Sequence, residues 1–389
     1  MSYKIEYCAK RLFEKGFWAY YTHETSRDKL LKKSPTVINI FTNADLLQIS
    51  RLFPDITYRQ DCEEHAFLIR GNLPVRFRVS DFPMDRIVHV PGSIDIERSA
   101  CKHAAETFLF SIDCFFYDCV RKVFYDPLDV YQVFKNGIIS TIITPDRAAE
   151  RYPTIALKTA KVLSETGFEI DKSLYDFLLY NKSIYDYEKL NCSVVDDFID
   201  IIVSGRAFEA LVLLNNLGVL DQLLPEVTRL HHVNQDKDHH PEGNGFWHTL
   251  ECMRCVKKPT KTLMMAVLLH DTGKAVTLTS RKKHKPFPNH SSASTQISKN
   301  VLRRFSFTGE EMEEIFFLVR NHMILDAIDR LPETRLRRLF LSPYFPNLLE
   351  LYRADLESGY HNMASYYHAA RAYRAFLRRE KMWREGVYA

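Results

Sequence analysis

The spacing of apolar residues changes character near residue 145. Before it, short β-branched and aromatic runs alternate with turns, at 17–21, 37–41, 66–69 and 75–79. The last run sets Val75, Phe77 and Val79 against Arg76 and Arg78, with Gly71–Asn72 between it and its predecessor. That alternation predicts a hairpin with one buried and one wet face. Residues 110–117 predict another strand, closed by a turn at Tyr125-Asp126-Pro127. Beyond Pro145 the period becomes helical. Ile155, Ala156, Thr159, Val162, Leu163 and Thr166 recur at three- to four-residue spacing, and Gly167 stands where such a helix would stop. Phe208, Leu211, Val212 and Leu214 repeat the pattern ahead of Gly218. A polar, His-rich stretch at 230–245 then precedes an almost wholly helical remainder.

The expected fold class is therefore α+β, mostly helical. A mixed N-terminal sheet domain should occupy 1–143, a helical neck 144–230 and an all-α domain 231–389. A chain of 389 residues is long for one core, in keeping with two or three domains. With 46% hydrophobic and 26% charged residues, 13 Gly and 16 Pro, it is not a disordered or low-complexity chain. The apolar run at 263–269 falls far short of the ~20 residues a membrane span needs. Charges scattered through the first 17 residues argue against a secretory leader. Eight cysteines without framework spacing predict reduced thiols and a cytoplasmic setting.

The net charge of +4 is small, but its distribution is uneven. Six Arg/Lys between Arg371 and Arg384 face only Glu380 and Glu385. This segment reads as a solvated helix face, with Tyr373, Phe376, Leu377 and Trp383 docking the other side. The competing reading is a helix that tracks phosphates.

Eleven of the 15 histidines fall between His231 and His368. In Leu268-Leu269-His270-Asp271-Thr272-Gly273-Lys274 an apolar helix ends by presenting adjacent His and Asp side chains. His248 lies upstream; His290, His322 and Asp355 follow. Imidazole nitrogens with carboxylate oxygens suit divalent ions such as Mn, Ni, Co, Mg or Fe, whereas thiolates would point to structural zinc. A carboxylate has two oxygens, so Asp271 can serve two ions, and a pair of ions can polarise a phosphate and acidify water. Lys274 is placed to meet phosphate charge. A lone histidine on a helix is more often a core or surface group than a ligand; the ordered set is far less easily explained that way. Cys252 and Cys255, an isolated C-x-x-C, read as core thiols. His231, His232, His239, His240 and His284 read as loop histidines, and the basic run from Arg281 and Lys282 to Lys285 as an anion-attracting loop or merely a soluble one.

These residues resemble the HD superfamily of metal-dependent phosphohydrolases over about residues 239–360. They are specifically similar to the HD domain joined to bacterial tRNA nucleotidyltransferases. The resemblance implies that His248, His270, Asp271 and Asp355 hold one metal, and that Asp271 bridges to a second held by His290 and His322. It also implies that Lys274, helped by Arg281 and Lys282, meets the substrate. The first 225 residues resemble the head and neck of the tRNA nucleotidyltransferase/poly(A) polymerase family. The match runs through Arg27-Asp28-Lys29-Leu30-Leu31, Thr42-Asn43-Ala44, Ile112-Asp113 and Gly167-Phe168-Glu169-Ile170-Asp171.

That family places a glycine pair where His23-Glu24 stand here, and an Asp-x-Asp where Val37-Ile38-Asn39 stands. Its third acidic position falls at Arg76, and its nucleotide-binding Arg-Arg-Asp at Thr107-Phe108-Leu109. Without those carboxylates neither metal binding nor activation of an attacking hydroxyl is supported. Asp95-Ile96-Glu97 is a rival acidic triplet that more plainly opens a helix. The expectation is a phosphodiesterase or phosphatase acting on nucleotide or RNA-end phosphates, with tRNA as a candidate partner, no membrane, and a head that transfers no nucleotides. The alternatives are a non-catalytic RNA- or nucleotide-binding protein, or a tRNA nucleotidyltransferase with unorthodox carboxylates.

Overall fold

The protein is described from a computed structural model covering residues 6–58, 65–70, 73–81, 94–182, 191–234, 243–277, 287–359 and 362–384. Arg281, Lys282 and His284, and the His239–His240 pair, lie outside the described residues. The chain divides into two compact units. One contains residues 1–152 with 168–177, the other 153–167 with 178–389.

The first unit is built on a seven-stranded sheet. Its strands are β1 (Ala19–Tyr21), β2 (Ile38–Thr42), β3 (Ile56–Tyr58), β4 (His65–Arg70), β5 (Leu73–Val79), β6 (Phe116–Asp118) and β7 (Val123–Tyr125). Their order is β3-β4-β5-β2-β1-β6-β7, and all neighbours are antiparallel except β2 and β5. The expected hairpin is β4–β5: Arg70 pairs with Leu73, which leaves Gly71–Asn72, outside the described residues, to connect them.

Val75 and Phe77 are buried, as the alternation requires, in a cluster with Ile38, Ile40, Leu12 and Phe53. Arg76 and Arg78 lie on the other face and are only half exposed. The strand expected at 110–117 shrinks to β6. Before it, residues Ser111–Asp113 form a 3-10 turn, because Ser111 N bonds across to Ser140 O and the Cys114 amide turns back to Ser111 O. A period-2 apolar run thus became a buried turn; its pattern alone does not distinguish the two.

Helices α1 (Tyr7–Glu14), α2 (His23–Leu30), α3 (Leu46–Leu52), α4 (Ile94–Ala105), α5 (Tyr131–Lys135) and α6 (Pro145–Arg151) complete the sheet layer. The Asp95-Ile96-Glu97 triplet opens α4, as acids in a first turn should. Glu97 is buried, and its Oε2 accepts from Tyr20 Oη at 2.5 Å and Arg121 Nη1 at 2.8 Å. It is a structural carboxylate.

Apart from a short parallel strand pair, Ile138–Ile139 with Glu169–Ile170, the remainder is mostly helical: α7 (Ile155–Thr166), α8 (Lys172–Tyr180), α9 (Cys192–Val203), α10 (Ala207–Asn216), α11 (Val219–Leu223) and α12 (Pro225–Thr228). Helix α7 stops at Gly167, whose φ of +73° is the left-handed conformation that glycine adopts without strain. Asp197 on α9 is buried against Lys158 and Lys161 of α7 at 3.3 and 3.0 Å. Then follow α13 (Gly245–Cys255), α14 (Lys261–Leu269), α15 (Lys274–Thr277), α16 (His290–Arg304), α17 (Gly309–Asn321), α18 (Glu333–Leu341), α19 (Phe345–Ser358) and α20 (Ala364–Arg384). Cys252 and Cys255 are free thiols on α13, the first buried and the second half-buried. No helix among the described residues is long and apolar enough to cross a membrane.

Candidate metal centre

Five helices bring the ligand candidates together: α16 opens on His290, and the other four are placed for local reasons. Asn244 caps α13 by accepting from the amides of Phe246 and Trp247, which sets His248 one turn into the helix. Helix α14 is capped by Thr260 and buries every residue from Leu263 to Leu269, so its end is anchored deep in the core. His270 and Asp271 emerge there, 1% and 2% exposed. Helix α17 begins with a Thr308–Glu311 capping box and ends on His322, also 1% exposed. Helix α19 carries Asp355 one turn before its end.

Asp271 stands between two histidine pairs. Its Oδ2 faces His270 Nε2 at 3.3 Å and His248 Nε2 at 3.9 Å; its Oδ1 faces His290 Nε2 at 3.5 Å and His322 Nε2 at 3.6 Å. Asp355 Oδ1 lies 3.0 Å from His248 Nε2, and Lys274 Nζ 2.5 Å from Asp271 Oδ2. Two triads, His248–His270–Asp271 and Asp271–His290–His322, each bring three ligand atoms within 4.8 Å of one another and share the aspartate. All seven sequence-predicted groups outside the basic loop are therefore in one cluster.

The ring orientations show what this cluster is suited to hold. Nδ1 of His270, His322 and His290 lies 2.7, 2.8 and 3.1 Å from the carbonyls of Val267, Val319 and Phe287. A carbonyl only accepts, so in each ring Nδ1 carries the proton and Nε2 turns a lone pair into the cluster. This is the outer-shell arrangement that orients histidine ligands for a metal. His270 Nε2 is buried without any hydrogen-bond partner. His290 Nε2 and His322 Nε2 face one another at 3.1 Å. Two inward lone pairs at that distance, beside a carboxylate, call for a cation. Burial presses the His290 imidazole below its ordinary pKa despite the pull of Asp271, so it favours the neutral, ligating form. Burial alone would raise Asp271, but the Lys274 ammonium beside it outweighs this and holds the carboxyl well below the usual range. Asp355 is likewise drawn low against burial by its contact with His248. The donors, their charge states and the orphaned nitrogen fit one or two divalent ions.

Supporting contacts escaped the sequence reading. Ser358 Oγ donates to Asp355 O at 2.8 Å and stands 3.4 Å from His248 Nδ1. It lies one turn beyond Asp355, a spacing that could have flagged it. The Arg353 guanidinium, 3% exposed, binds Glu350, Glu357 and the carbonyl of Cys255, which ties α19 to the end of α13. Gly273 donates to Ser294 Oγ at 2.8 Å. A Cβ there would stand 2.2 Å from His290 O and 2.6 Å from Ser294 N, so only glycine lets α16 seat His290 against Asp271. His231, by contrast, bonds Asn215 at 3.0 Å and stacks on Phe246, which makes it a packing group.

In the first unit the positions singled out are differently occupied. Asn39 pairs in register with Arg76 across β2 and β5. Its amide donates to Glu24 Oε2 at 2.7 Å, and its backbone N–H to Thr25 Oγ1 at 2.7 Å. His23 keeps a φ of +50°, the left-handed conformation usual for glycine, but its ring packs 4.0 Å from Phe108. Thr107 Oγ1 accepts from Arg78 at 2.8 Å, and Arg27 is buried in an ion pair with Asp113 at 2.7 Å.

Residues 248–356 match the HD domain family, so the second unit carries an HD domain whose matched span begins at His248 and ends beside Asp355. The wider architecture is that of the CCA-adding enzymes. The chain superposes on a Bacillus stearothermophilus CCA-adding enzyme solved with CTP at a TM-score of 0.59, 14% identity, covering 95% of this chain and 81% of that one. By sequence it is 32% identical over 177 residues to a CC-adding tRNA nucleotidyltransferase of Thermus thermophilus, over 42% of this chain and 38% of that protein. It is 24% identical over 269 residues to a multifunctional CCA protein of Pseudomonas fluorescens, over 68% of this chain and 54% of that protein. The matches thus span about two fifths to about half of these relatives' own length.

Proposed function

We propose that the protein is a metal-dependent phosphohydrolase of the HD type, acting on nucleotide or RNA-end phosphates, whose nucleotidyltransferase-like head (residues 1–143, joined by a neck at 144–230 to the HD segment 231–389) transfers no nucleotides. The observation that carries this is the buried, shared aspartate between two pairs of inward-facing imidazole nitrogens, one of them without a partner. His248, His270, Asp271 and Asp355 would hold a first ion, and Asp271, His290 and His322 a second. Such ions, when bound, supply Lewis acidity toward a phosphate and lower the pKa of water.

The chain's own contributions are orientation, charge and exclusion of solvent. The three Nδ1–carbonyl bonds lock the imidazoles, so little reorganisation accompanies binding. Lys274, only partly exposed and now on Asp271, can turn to an anionic substrate once cations neutralise the carboxylate. Burial of Asp271 and His270 keeps bulk water from screening these charges. The head supports the second half of the proposal because Asn39 and Arg76 supply no carboxylate and the Asn39 amide is already bonded to Glu24.

The test combines metal analysis of the purified protein with a panel of 2′,3′-cyclic nucleotides, 2′-nucleotides and phosphomonoesters across Mn, Ni, Co and Mg. Hydrolysis that disappears with bound metal in His270→Ala and Asp271→Ala is the expected result; undiminished turnover in either variant overturns the assignment. The curated relatives are named for nucleotide addition, which favours a second reading, a tRNA nucleotidyltransferase with unusual carboxylates. Efficient incorporation of CMP or AMP into tRNA lacking its 3′ end, with CTP, ATP and Mg²⁺, would establish that reading and remove the inactive head.

A further inference from the structure

Helix α20 has two faces of different chemistry. Ala369, Ala370 and Phe376 are buried, and Tyr373 and Phe376 pack on Phe340 and Phe345 with ring centroids 4.5–5.3 Å apart. Leu377, expected to dock there, is instead 46% exposed. Glu380 also turns inward and is held by Arg337 of α18. It is the acidic residue that would otherwise have offset the helix's positive charge.

The outward face reads Tyr367, Arg371, Arg374 and Arg378, a spacing of four, three and four that keeps all of them on one side over about 16 Å. All four are exposed, Tyr367 by 57%. None of the three arginines makes an ion pair among the described residues. With Glu380 withdrawn, the stripe carries three guanidinium groups without an ion pair among the described residues, beside an exposed phenol ring.

We infer that this stripe is a docking surface for single-stranded nucleic acid. Arginine presents a planar fork that matches phosphate oxygens, and its spacing along the helix suits successive phosphates of one strand. An exposed aromatic ring among them gives an unpaired base something to stack on. A membrane surface is a poorer occupant, because the apolar face that would insert is already buried on Phe340 and Phe345. An acidic protein would match the charge but leave Tyr367 without a role. The surface is independent of the hydrolase reading, since its test reads binding and no turnover.

A 20-nucleotide mixed-sequence RNA is titrated into the full chain at several salt concentrations, with a poly-glutamate peptide of equal charge as comparison. Arg371→Glu/Arg374→Glu/Arg378→Glu should weaken RNA binding by at least about 30-fold at 0.1 M salt, and lower the log–log salt slope by roughly two, near 0.7 per charge removed. The milder Gln triple variant should fall between it and the parent, with melting temperature unchanged. Tyr367→Ala should cost about 5- to 10-fold in affinity while leaving the salt slope intact. An unchanged slope in both triple variants, or poly-glutamate bound as tightly as RNA, overturns the inference.

Discussion

Two buried polar clusters in this chain carry the text of two different chemistries, and they differ in how their polar atoms are satisfied. At the end of α14, Nδ1 of His270, His290 and His322 is committed to a backbone carbonyl and Nε2 is turned inward, so His270 Nε2 ends without a partner and Nε2 of His290 faces that of His322 at 3.1 Å. On β2 of the first unit, Asn39 is bonded through its amide to Glu24 and through its backbone to Thr25, and a histidine ring fills the space beside Phe108. Burying a polar atom without a partner costs on the order of 1–3 kcal/mol. The head also buries polar atoms without a hydrogen-bond partner, Trp18 Nε1 and Thr22 Oγ1 among them, but no set of imidazole nitrogens converges on a carboxylate there among the described residues. It is the convergence of ligand lone pairs, and not the orphaned atom alone, that marks the α14 cluster as organised for something that is not part of the chain.

The sharpest way to break this contrast is Asp271→Asn. Loss of the shared carboxylate should remove bound metal and lower hydrolysis by at least about 10³-fold, read by metal analysis and turnover. If both persist, the cluster is no different from the head.

Asp197 supplies an internally satisfied carboxylate for comparison. Burial alone would raise its pKa, but Lys161 and Lys158 override this and hold it below the ordinary value. The stability it contributes is therefore present above the unfolded-state pKa of about 3.9, and is lost as pH falls through the lower folded-state value. Asp197→Asn should cost about 2–3 kcal/mol at pH 7, moderated because Asp200 remains 2.7 Å from Lys161. The gap between variant and parent should begin to narrow below about pH 4 in denaturant titrations and close only as pH falls through the lower folded-state value, with hydrolysis at neutral pH retained; a gap that does not narrow in acid refutes the ion-pair account.

Gly273→Ala should act in between, through space rather than charge. Its methyl group would press on the backbone at His290 and Ser294 and push the first turn of α16 outward. A loss of about 1–3 kcal/mol and of metal at the His290–His322 side first is expected, read by thermal unfolding and metal stoichiometry. Full stoichiometry with unchanged stability would show that α16 adjusts freely. The smallest effect belongs to the head: Asn39→Ala should cost about 1 kcal/mol and leave hydrolysis within twofold. A large change in turnover would mean that the two regions are not separable as described.

Much of this was legible along the chain. The helix ending at Leu269 follows from an unbroken apolar run, and Gly167 and Gly218 mark their stops with φ of +73° and +74°. The β4–β5 hairpin followed from alternation and a Gly-Asn pair. The six ligand candidates stood out by residue type, because imidazole beside carboxylate is chemically distinctive even when the partners are a hundred residues apart. Residues 110–117 misled, since apolar alternation is shared by a strand and a buried turn, and only the bond from Ser111 to Ser140 chooses between them. Leu377 misled as well, because helical period places a residue on a face but not which residues at its margin are covered.

Residue type and spacing therefore determined which side chains could serve as ligands, where helices start and stop, and which head positions lack carboxylates. They could not determine that Ser358 stands by the His248 ring, that Gly273 is needed for a backbone 2.2 Å from its missing Cβ, or that Glu380 turns inward to leave an arginine stripe without an ion pair among the described residues. Those facts depend on distances between segments far apart along the chain. Such distances are set by how helices pack, and local sequence specifies the faces that pack but not the approach they reach.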